Sequence, residues 1–177
     1  MCVVDLNDKG RVNEPVDIRF GTDAFLVADT RGQVTMFQLA ANRYTVVSHN
    51  SRNGVIAASF TGKQPHDQVF IALKDKTIAV HSLNGKLLEQ FKGAHGMEIR
   101  GVETNRVHYG NGHLLSLSLD ACVLWANAGG LSVLKHKSIF SKDGNHFTQA
   151  RFTSDGMSLV TLLKDGDFIS WGLDAQQ

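Results

Sequence analysis

The sequence predicts an all-β protein built from about four successive copies of one strand-rich unit. Short apolar and β-branched runs alternate with polar, glycine-bearing turns, and no stretch keeps a helical periodicity with end caps. The residue near the end of the third strand of each unit recurs at Phe37, His81, Trp125 and Trp171, at spacings of 44, 44 and 46 residues. A regular period of this length is typical of repeat architectures, in which each unit buries its apolar faces on its neighbours.

Residues 1–14 predict a partial unit before the first complete one. Val4 is the candidate for the place that Phe37 holds, although their spacing of 33 residues is shorter than the other intervals. The Asn7-Asp8-Lys9-Gly10 stretch has the composition of a turn. We expect this segment to be the tail of a preceding unit or a strand that completes the last one.

The first complete unit spans residues 15–50. Val16, Ile18 and Phe20 alternate with polar residues, which predicts a strand with one buried face. Residues 24–28 are continuously apolar, as expected of a strand that is buried on both faces. The predicted strands are 16–20, 24–28, 34–37 and 44–47.

The second unit, residues 54–92, repeats this order. Its predicted strands are 54–60, 69–73, 78–81 and 87–91, with His81 at the end of the third. The Asn84-Gly85 pair between the last two strands predicts a hairpin with a type I′ turn, because both central positions of that turn need a positive φ.

The third unit, residues 93–136, carries the most complete pattern. A Gly93-Ala94-His95 loop precedes predicted strands at 97–102, 114–118 and 122–125, and a last hairpin at Gly129-Gly130 leads into residues 131–134. The order of Gly-His loop, strand, Ser-ending strand, Asp-bearing turn and Trp-ending strand resembles one blade of the WD40 family. The resemblance covers about residues 15–175 and implies a WD40-type β-propeller, in which each unit is a blade.

The third unit also supplies a candidate structural tetrad, which consists of His95, Ser118, Asp120 and Trp125. In the family that this unit resembles, the loop His lies between a turn Asp and a strand Ser, and the Ser meets the Trp indole N–H. The family pattern puts the Asp six residues before the Trp; Asp120 lies five before Trp125, whereas Asp75 and Asp165 lie six before His81 and Trp171. We expect such a network to stabilise the blade, because buried polar groups must be paired.

The fourth unit, residues 145–177, follows a Lys-, His- and Ser-rich stretch at 136–145 that we interpret as a linker. Its predicted strands are 146–152, 158–163 and 168–171, the last of which ends in Trp171. Lys135, His136, Lys137 and Lys142 make a small basic patch in and beside this stretch. The patch is interpreted as solvated, and the alternative is a docking edge for an acidic partner.

Four units predict about four blades, which form either a half ring or part of a larger propeller, since propellers typically have 4–8 blades. Three arrangements would cover the open blade faces. Further blades complete a longer ring, two copies pair into eight blades, or Cys2–Leu6 supplies the outer strand of the fourth blade in a small closed ring. The expected partners are therefore other proteins, and they include self-association or completion of the ring by another chain.

Composition disfavours several other functions. The net charge is +1, with 18 basic and 17 acidic residues interspersed, so we expect no nucleic-acid partner. Cys2 and Cys122 do not form a disulfide framework, which indicates a reducing, cytoplasmic location. No apolar run is long enough to cross a bilayer, and no signal-peptide pattern begins the sequence. We predict no cofactor and no metal, since His108 and His113 lack the further ligands of a zinc site.

We predict no enzymatic activity and no catalytic residue. His95, Ser118 and Asp120 have the residue types of a catalytic triad, but Ser118 lacks the Gly-x-Ser-x-Gly context of a nucleophile elbow. The less favoured alternative, a propeller hydrolase, would need carboxylates or a nucleophile at the centre of the ring. We expect a protein–protein interaction scaffold whose rigid blades present loops. The candidate contact loops are Lys63–Asp67, Thr104–Gly112 and His136–Asn145.

A narrower resemblance is carried by two stretches, from Arg19 to Leu39 and from Phe70 to Ile78. They look like parts of the N-terminal propeller of the WD40-bearing TBC-domain proteins, which are associated with centriolar satellites and the bases of cilia. This resemblance implies a cytoskeletal scaffold at a cilium, flagellum or centrosome. Its alternative is the regulatory propeller arm of a Rab GTPase-activating protein. The TBC domain itself is not in these residues, so no catalytic residue is carried over.

Overall fold

The computed structural model describes residues 14–21, 23–41, 43–49, 54–60, 68–105, 113–127, 134–140 and 144–173. In these residues the chain forms fifteen β-strands, which are arranged as four antiparallel sheets that follow one another along the chain. The prediction of an all-β fold with about four blades is therefore confirmed. The partial unit predicted before residue 14 lies outside the described residues. No helix in the described part is long and apolar enough to cross a membrane.

Each blade is a meander, in which every strand pairs with the strand before and after it. The first blade contains β1 Pro15–Phe20, β2 Ala24–Asp29, β3 Gln33–Gln38 and β4 Arg43–His49. The second contains β5 Val55–Phe60, β6 Gln68–Leu73, β7 Ile78–Ser82 and β8 Leu87–Phe91. The third contains β9 Ile99–Thr104, β10 Leu114–Ser118, β11 Ala121–Asn127 and β12 Leu134–Phe140. The described part of the fourth contains β13 Phe147–Phe152, β14 Ser158–Leu163 and β15 Phe168–Gly172.

Residues 136–140 of the stretch that we interpreted as a linker, 136–145, belong to a strand, so that interpretation was wrong for them. β12 pairs with β11 along its whole length, with Trp125 opposite His136 and Cys122 opposite Ile139. The outermost strand of a blade is a sheet edge, and edge strands commonly carry lysines because charge prevents pairing with another chain. The polar composition that suggested a linker is therefore the composition of an edge strand.

The hairpin of the second blade lies against the outer strand of the first. Gly85 has a φ of +88°, in agreement with the positive φ that the Asn-Gly pair predicts. A Cβ at this position would lie 3.2 Å from the carbonyl oxygen of Val46 and 3.3 Å from that of Val47. Both the backbone conformation and the close approach therefore require glycine here.

The apolar core is divided among three seams, one between each pair of successive blades. We call the sheet face that carries Phe37, His81, Trp125 or Trp171 the Trp face of its blade, and the other its back face. In every seam the Trp face of one blade packs on the back face of the preceding blade. Examples are Leu26 with Ile71 in the first seam, Phe70 with Trp125 in the second, and Leu117 with Leu159 in the third, each pair belonging to one buried cluster.

Polar contacts between the innermost strands reinforce the seams. The Ala58 amide donates to the Asp17 carboxylate at 3.2 Å, which joins the first blade to the second. Thr104 Oγ1 donates to the Phe60 carbonyl at 2.7 Å, which joins the second to the third. The buried Asn105 side chain donates to the Gly156 carbonyl at 2.8 Å, which joins the third to the fourth. These hydrogen bonds add polar contacts to the apolar packing of each seam.

Candidate functional site

The indole of Trp125 begins a buried chain of hydrogen bonds in the third blade. Trp125 is 0% exposed, and its Nε1–H donates to Ser116 Oγ at 2.8 Å. Trp125 lies opposite Leu114 in the β10–β11 ladder, so Ser116 is its diagonal neighbour on the same face. Diagonal neighbours are within reach of a long aromatic side chain. The sequence pattern had suggested Ser118 as the partner of the indole, but the partner is Ser116.

His95 lies between two serines. Its Nε2 is 2.7 Å from Ser116 Oγ, and its Nδ1 is 2.8 Å from Ser118 Oγ. Ser116 and Ser118 are two residues apart in β10, so both hydroxyls point to the Trp face. The imidazole is buried, and its loop is anchored by Ala94, which belongs to the apolar cluster of the second seam.

Asp120 is the last member of this series of hydrogen bonds and lies at the surface of the blade. Ser118 Oγ donates to Asp120 Oδ1 at 2.6 Å, while the amides of Gly96 and Met97 donate to the same carboxylate at 2.9 and 3.2 Å. The Asp120 carboxylate thus holds the loop that carries His95 by accepting hydrogen bonds from the loop backbone. It reaches the imidazole only through Ser118. We had expected a direct place for His95 between the Asp and the Ser.

One arrangement of protons satisfies every member of this network when His95 is neutral. A carboxylate only accepts, so Ser118 gives its proton to Asp120 and accepts from His95 Nδ1–H. His95 Nε2 then accepts from Ser116, whose oxygen accepts from the Trp125 indole. All bonds therefore run in one direction, from the indole to the carboxylate. Buried hydrogen-bond chains of this kind polarise one another and rigidify a fold.

The turn length explains why Asp120 differs from the aspartates at the spacing of six. Asp75 and Asp165 each accept the amide two residues further on, Thr77 and Asp167, at 3.0 Å, and so cap their own turns. Counted between the last paired residues of the two strands, the turn that holds Asp120 is one residue shorter than these two. The Asp120 carboxylate accepts two backbone amides of the loop before the first strand, whereas Asp165 accepts the side-chain amide of Asn145 from the equivalent loop.

The other blades keep parts of the network. In the fourth blade the Trp171 indole donates to Thr161 at 3.2 Å, and Thr161 is the diagonal neighbour there as Ser116 is in the third blade. In the second blade Ile71 holds that place beside His81, so no hydroxyl is offered. Burial lowers the pKa of His81, an effect that the nearby Gly85 carbonyl partly offsets. A Ser or Thr nine or ten residues before the Trp was the signal that sequence reasoning missed.

Asp120 makes the stability of the protein depend on pH. Burial raises the pKa of its carboxyl, but hydrogen bonds from Ser118, Met97 and Gly96 outweigh that effect and hold the pKa below its ordinary value. The unfolded chain therefore takes up a proton first as the pH falls, and the stabilising effect, complete above the ordinary Asp pKa of about 4, is lost below it. We expect Asp120→Asn to reduce the loss of stability between pH 7 and pH 3, as measured by urea denaturation.

Asp165→Asn is the matched control for that experiment, since Asp165 lies in the equivalent turn of the fourth blade, between the second and third strands, and accepts the Asp167 amide within that turn. Its curve of stability against pH should follow the unmodified protein more closely than that of Asp120→Asn. Equal curves for Asp120→Asn and the unmodified protein would contradict the role assigned to Asp120.

Labelling of the Cys122 thiol tests whether the third seam is closed. Its side chain is 0% exposed within the apolar cluster between the third and fourth blades, and burial raises the pKa of its thiol to about 12. Only the thiolate reacts quickly with disulfide reagents. In a Cys2→Ser background we expect no labelling of the native protein at pH 8 and one labelled thiol per chain after denaturation in urea. Equally fast labelling of native and denatured protein would show that this seam is open.

The predicted contact loops fall mostly outside the described residues. None of Lys63–Asp67 is described, and Thr104–Gly112 is described only at Thr104 and Asn105, which join blades. Of His136–Asn145, residues 136–140 belong to β12. Within the described residues, no group of three or more His, Cys, Asp and Glu side chains is placed to hold a metal ion.

Comparison with known proteins gives similarity of fold. No protein-family model matches the chain, and no curated protein sequence matches it. Among solved structures, the computationally designed Ika4 protein is 16% identical over 97% of this chain and 99% of its own, with a TM-score of 0.66. The designed Ika8 protein is 17% identical over 96% of this chain and 49% of its own, with a TM-score of 0.68.

A natural protein is also similar. The β-propeller domain of Cps50 (Swd1) from Myceliophteria thermophila is 14% identical over 94% of this chain and 54% of its own, with a TM-score of 0.71. This chain therefore spans about half the length of Ika8 and of the Cps50 domain. The comparisons lend no support to the resemblance to TBC-domain propellers. The four antiparallel sheets and the similarity to the Cps50 domain show that the chain has a WD40-like β-propeller fold.

Proposed function

We propose that this chain is a protein–protein interaction scaffold, in which rigid blades hold loops in place for a partner. The observation that carries the proposal is the one-directional hydrogen-bond chain from Trp125 to Asp120. Its donors and acceptors are used within the blade, and its end fixes the backbone of a loop at Gly96 and Met97. Such a device suits a protein that binds through positioned loops on a stable framework.

The carboxylates of the innermost strands also serve the framework. Asp17 accepts the Ala58 amide and pairs with Arg19 at 3.1 Å. Glu103 pairs with Arg151 at 2.7 Å and accepts the Phe152 amide at 3.4 Å. Both acids are held in contacts within or between blades. These contacts favour a binding scaffold over a hydrolase, for which two carboxylates would have to face a shared central cavity.

The finer form of the proposal places the scaffold in a cytoskeletal assembly at a cilium, flagellum or centrosome. It rests on the two stretches that resemble the WD40-bearing TBC-domain proteins. The first stretch contains β2 and β3 with the turn between them, and the second runs from Phe70 in β6 to Ile78, the first residue of β7. The alternative for the same resemblance is a regulatory arm that acts beside a Rab GTPase-activating domain.

The contact surface that we propose contains fewer residues than the three contact loops predicted from the sequence. Thr104 and Asn105 join blades, and 136–140 is a paired strand. The proposed surface therefore consists of residues 63–67, 106–112 and 141–145. Their polar composition suits the rim of a transient interface.

Affinity capture from extracts of ciliated cells, with quantitative mass spectrometry, tests this function. The bait is the full chain, the test variant carries Gly-Ser sequences in the three segments, and the control is Leu87→Ser, which changes an exposed residue of β8. We expect capture of specific partners to fall at least about tenfold in the loop variant, about 1.4 kcal/mol of binding free energy, and to stay unchanged in the control.

Three outcomes decide the finer claims. Undiminished capture by the loop variant contradicts the proposed surface. Specific partners without centriolar or axonemal proteins contradict the cytoskeletal placement, and capture of a Rab GTPase-activating domain favours the alternative.

A further inference from the structure

The back face of the fourth blade is built like a buried seam but is exposed. Phe168 lies opposite Leu162 in the β14–β15 ladder, and the two side chains are 73% and 36% exposed. Register identifies the equivalents of Phe168 in the other blades as Val34, Ile78 and Cys122, which lie opposite Ala28, Ala72 and Leu117. All three are 0% exposed, because the Trp face of the next blade covers them. A back face that stays in water would be expected to carry a polar residue at this place.

The Trp face of the first blade is the matching surface. A row of aromatic rings crosses its four strands, with centroid separations of 5.8 Å from Phe20 to Phe25, 4.9 Å from Phe25 to Phe37 and 6.1 Å from Phe37 to Tyr44. The ends of the row, Phe20 and Tyr44, are 62% and 72% exposed. Phe60, the equivalent of Phe20 in the second blade, is 4% exposed. We call this surface the aromatic row.

Each internal seam joins a back face to a Trp face. The same chain exposes Phe168 on a back face and Phe20 and Tyr44 on a Trp face, where Val27 and Thr35 at the centre are buried. The exposure of Phe168, Phe20 and Tyr44 shows that these two surfaces do not cover one another within one molecule. Two copies placed head to tail would join each exposed back face to the aromatic row of the other copy. The resulting ring would hold eight blades, which is within the range of known propellers.

We propose that a second copy of this chain is the partner of both end surfaces. The back face of the fourth blade of one copy, with Phe168 and Leu162, packs on the aromatic row of the other, and the exchange is reciprocal. A contact between two different surfaces closes only when the rotation brings the last copy back to the first, and two arcs of four blades meet that condition. This inference is independent of the loop-binding function, because it concerns neither the loops nor their partners.

Sedimentation equilibrium of the full chain tests the proposal. We expect a mass of twice the monomer mass of 19.4 kDa for the unmodified protein. Phe168→Glu and Phe20→Glu should each shift the mass to that of the monomer, since a charge cannot be buried unpaired in an apolar seam. Leu87→Glu is the matched control: Leu87 is 47% exposed but lies on β8, away from both end surfaces, so this variant should remain a dimer.

A mixing experiment separates a lost surface from a lost fold. Phe168→Glu retains an intact aromatic row, and Phe20→Glu retains an intact back face, so an equimolar mixture restores one of the two seams in each pair. We expect the mixture to contain a heterodimer, while each variant alone stays monomeric. A monomeric unmodified protein overturns the proposal, and so does a mixture without heterodimer. An unmodified protein that forms species larger than the dimer overturns the eight-blade ring.

Discussion

Replacing Trp125 with alanine is expected to lower the free energy of unfolding by about 3–5 kcal/mol, the range observed when a fully buried large aromatic side chain is truncated. Trp125 is 0% exposed, and its ring lies against Phe70 and Phe91, with centroid separations of 5.5 and 4.8 Å. Alanine leaves a cavity in the second seam and removes the donor to Ser116. Guanidinium denaturation followed by far-UV circular dichroism measures the effect.

Trp125→Phe separates packing from hydrogen bonding at the same position. It keeps an aromatic ring in the seam but removes the indole N–H, so we expect a loss of about 1–2 kcal/mol. Trp171→Ala is the control at the equivalent position. Because Trp171 is only half-buried, its replacement should lower the free energy of unfolding by less than Trp125→Ala does. A loss at Trp125→Ala no greater than that at Trp171→Ala would contradict the central place of Trp125 in the core.

Replacing His95 with alanine is expected to cost about 3 kcal/mol, because it leaves the hydroxyls of Ser116 and Ser118 without their ring partner in a buried site. The loop itself stays attached, because Asp120 and the Lys76 ammonium hold it through the backbone of Gly96. The same denaturation measurement applies. A loss below about 0.5 kcal/mol, as at an ordinary surface position, would show that the network contributes little.

A double-mutant cycle with His95→Ala and Trp125→Phe tests whether the network acts as a unit. The two side chains share Ser116 as a partner. Residues in one network couple by about 0.5–3 kcal/mol, whereas distant sites add. We therefore expect the combined loss to be smaller than the sum of the single losses. Strict additivity would mean that the bonds on either side of Ser116 are energetically separate.

The features that the sequence predicted well are local ones. The strands follow from period-two alternation, and the turn at Gly85 follows from the Asn-Gly pair, since both depend on residues a few positions apart. The spacing of Phe37, His81, Trp125 and Trp171 predicted the number of blades because each blade is one local unit. The order of residues along the third unit also suggested the candidate tetrad, but the indole of Trp125 meets Ser116, which is not one of its four members.

The partners within that tetrad depended on register. Ser116 faces the indole because Leu114, and not Ser116, lies directly opposite Trp125. A ladder shifted by one residue would turn every side chain to the other face, and because β10 is buried on both faces, its apolar pattern does not choose between registers. The role of Asp120 depended likewise on a turn that is one residue shorter than its equivalents. The edge strand β12 looked like a linker because it is held by backbone hydrogen bonds to β11, and backbone pairing does not require an apolar pattern in the sequence.

An all-β chain of four repeated blades follows from the sequence, because alternation, turn residues and repeat spacing are properties of neighbouring residues. Which apolar faces are covered follows instead from the packing of one blade against another. Val34, Ile78 and Cys122 are buried and Phe168 is exposed, although all four hold the same place in their blades. The difference arises because burial at that place depends on whether another blade packs against it, and no residue within a blade encodes its neighbour.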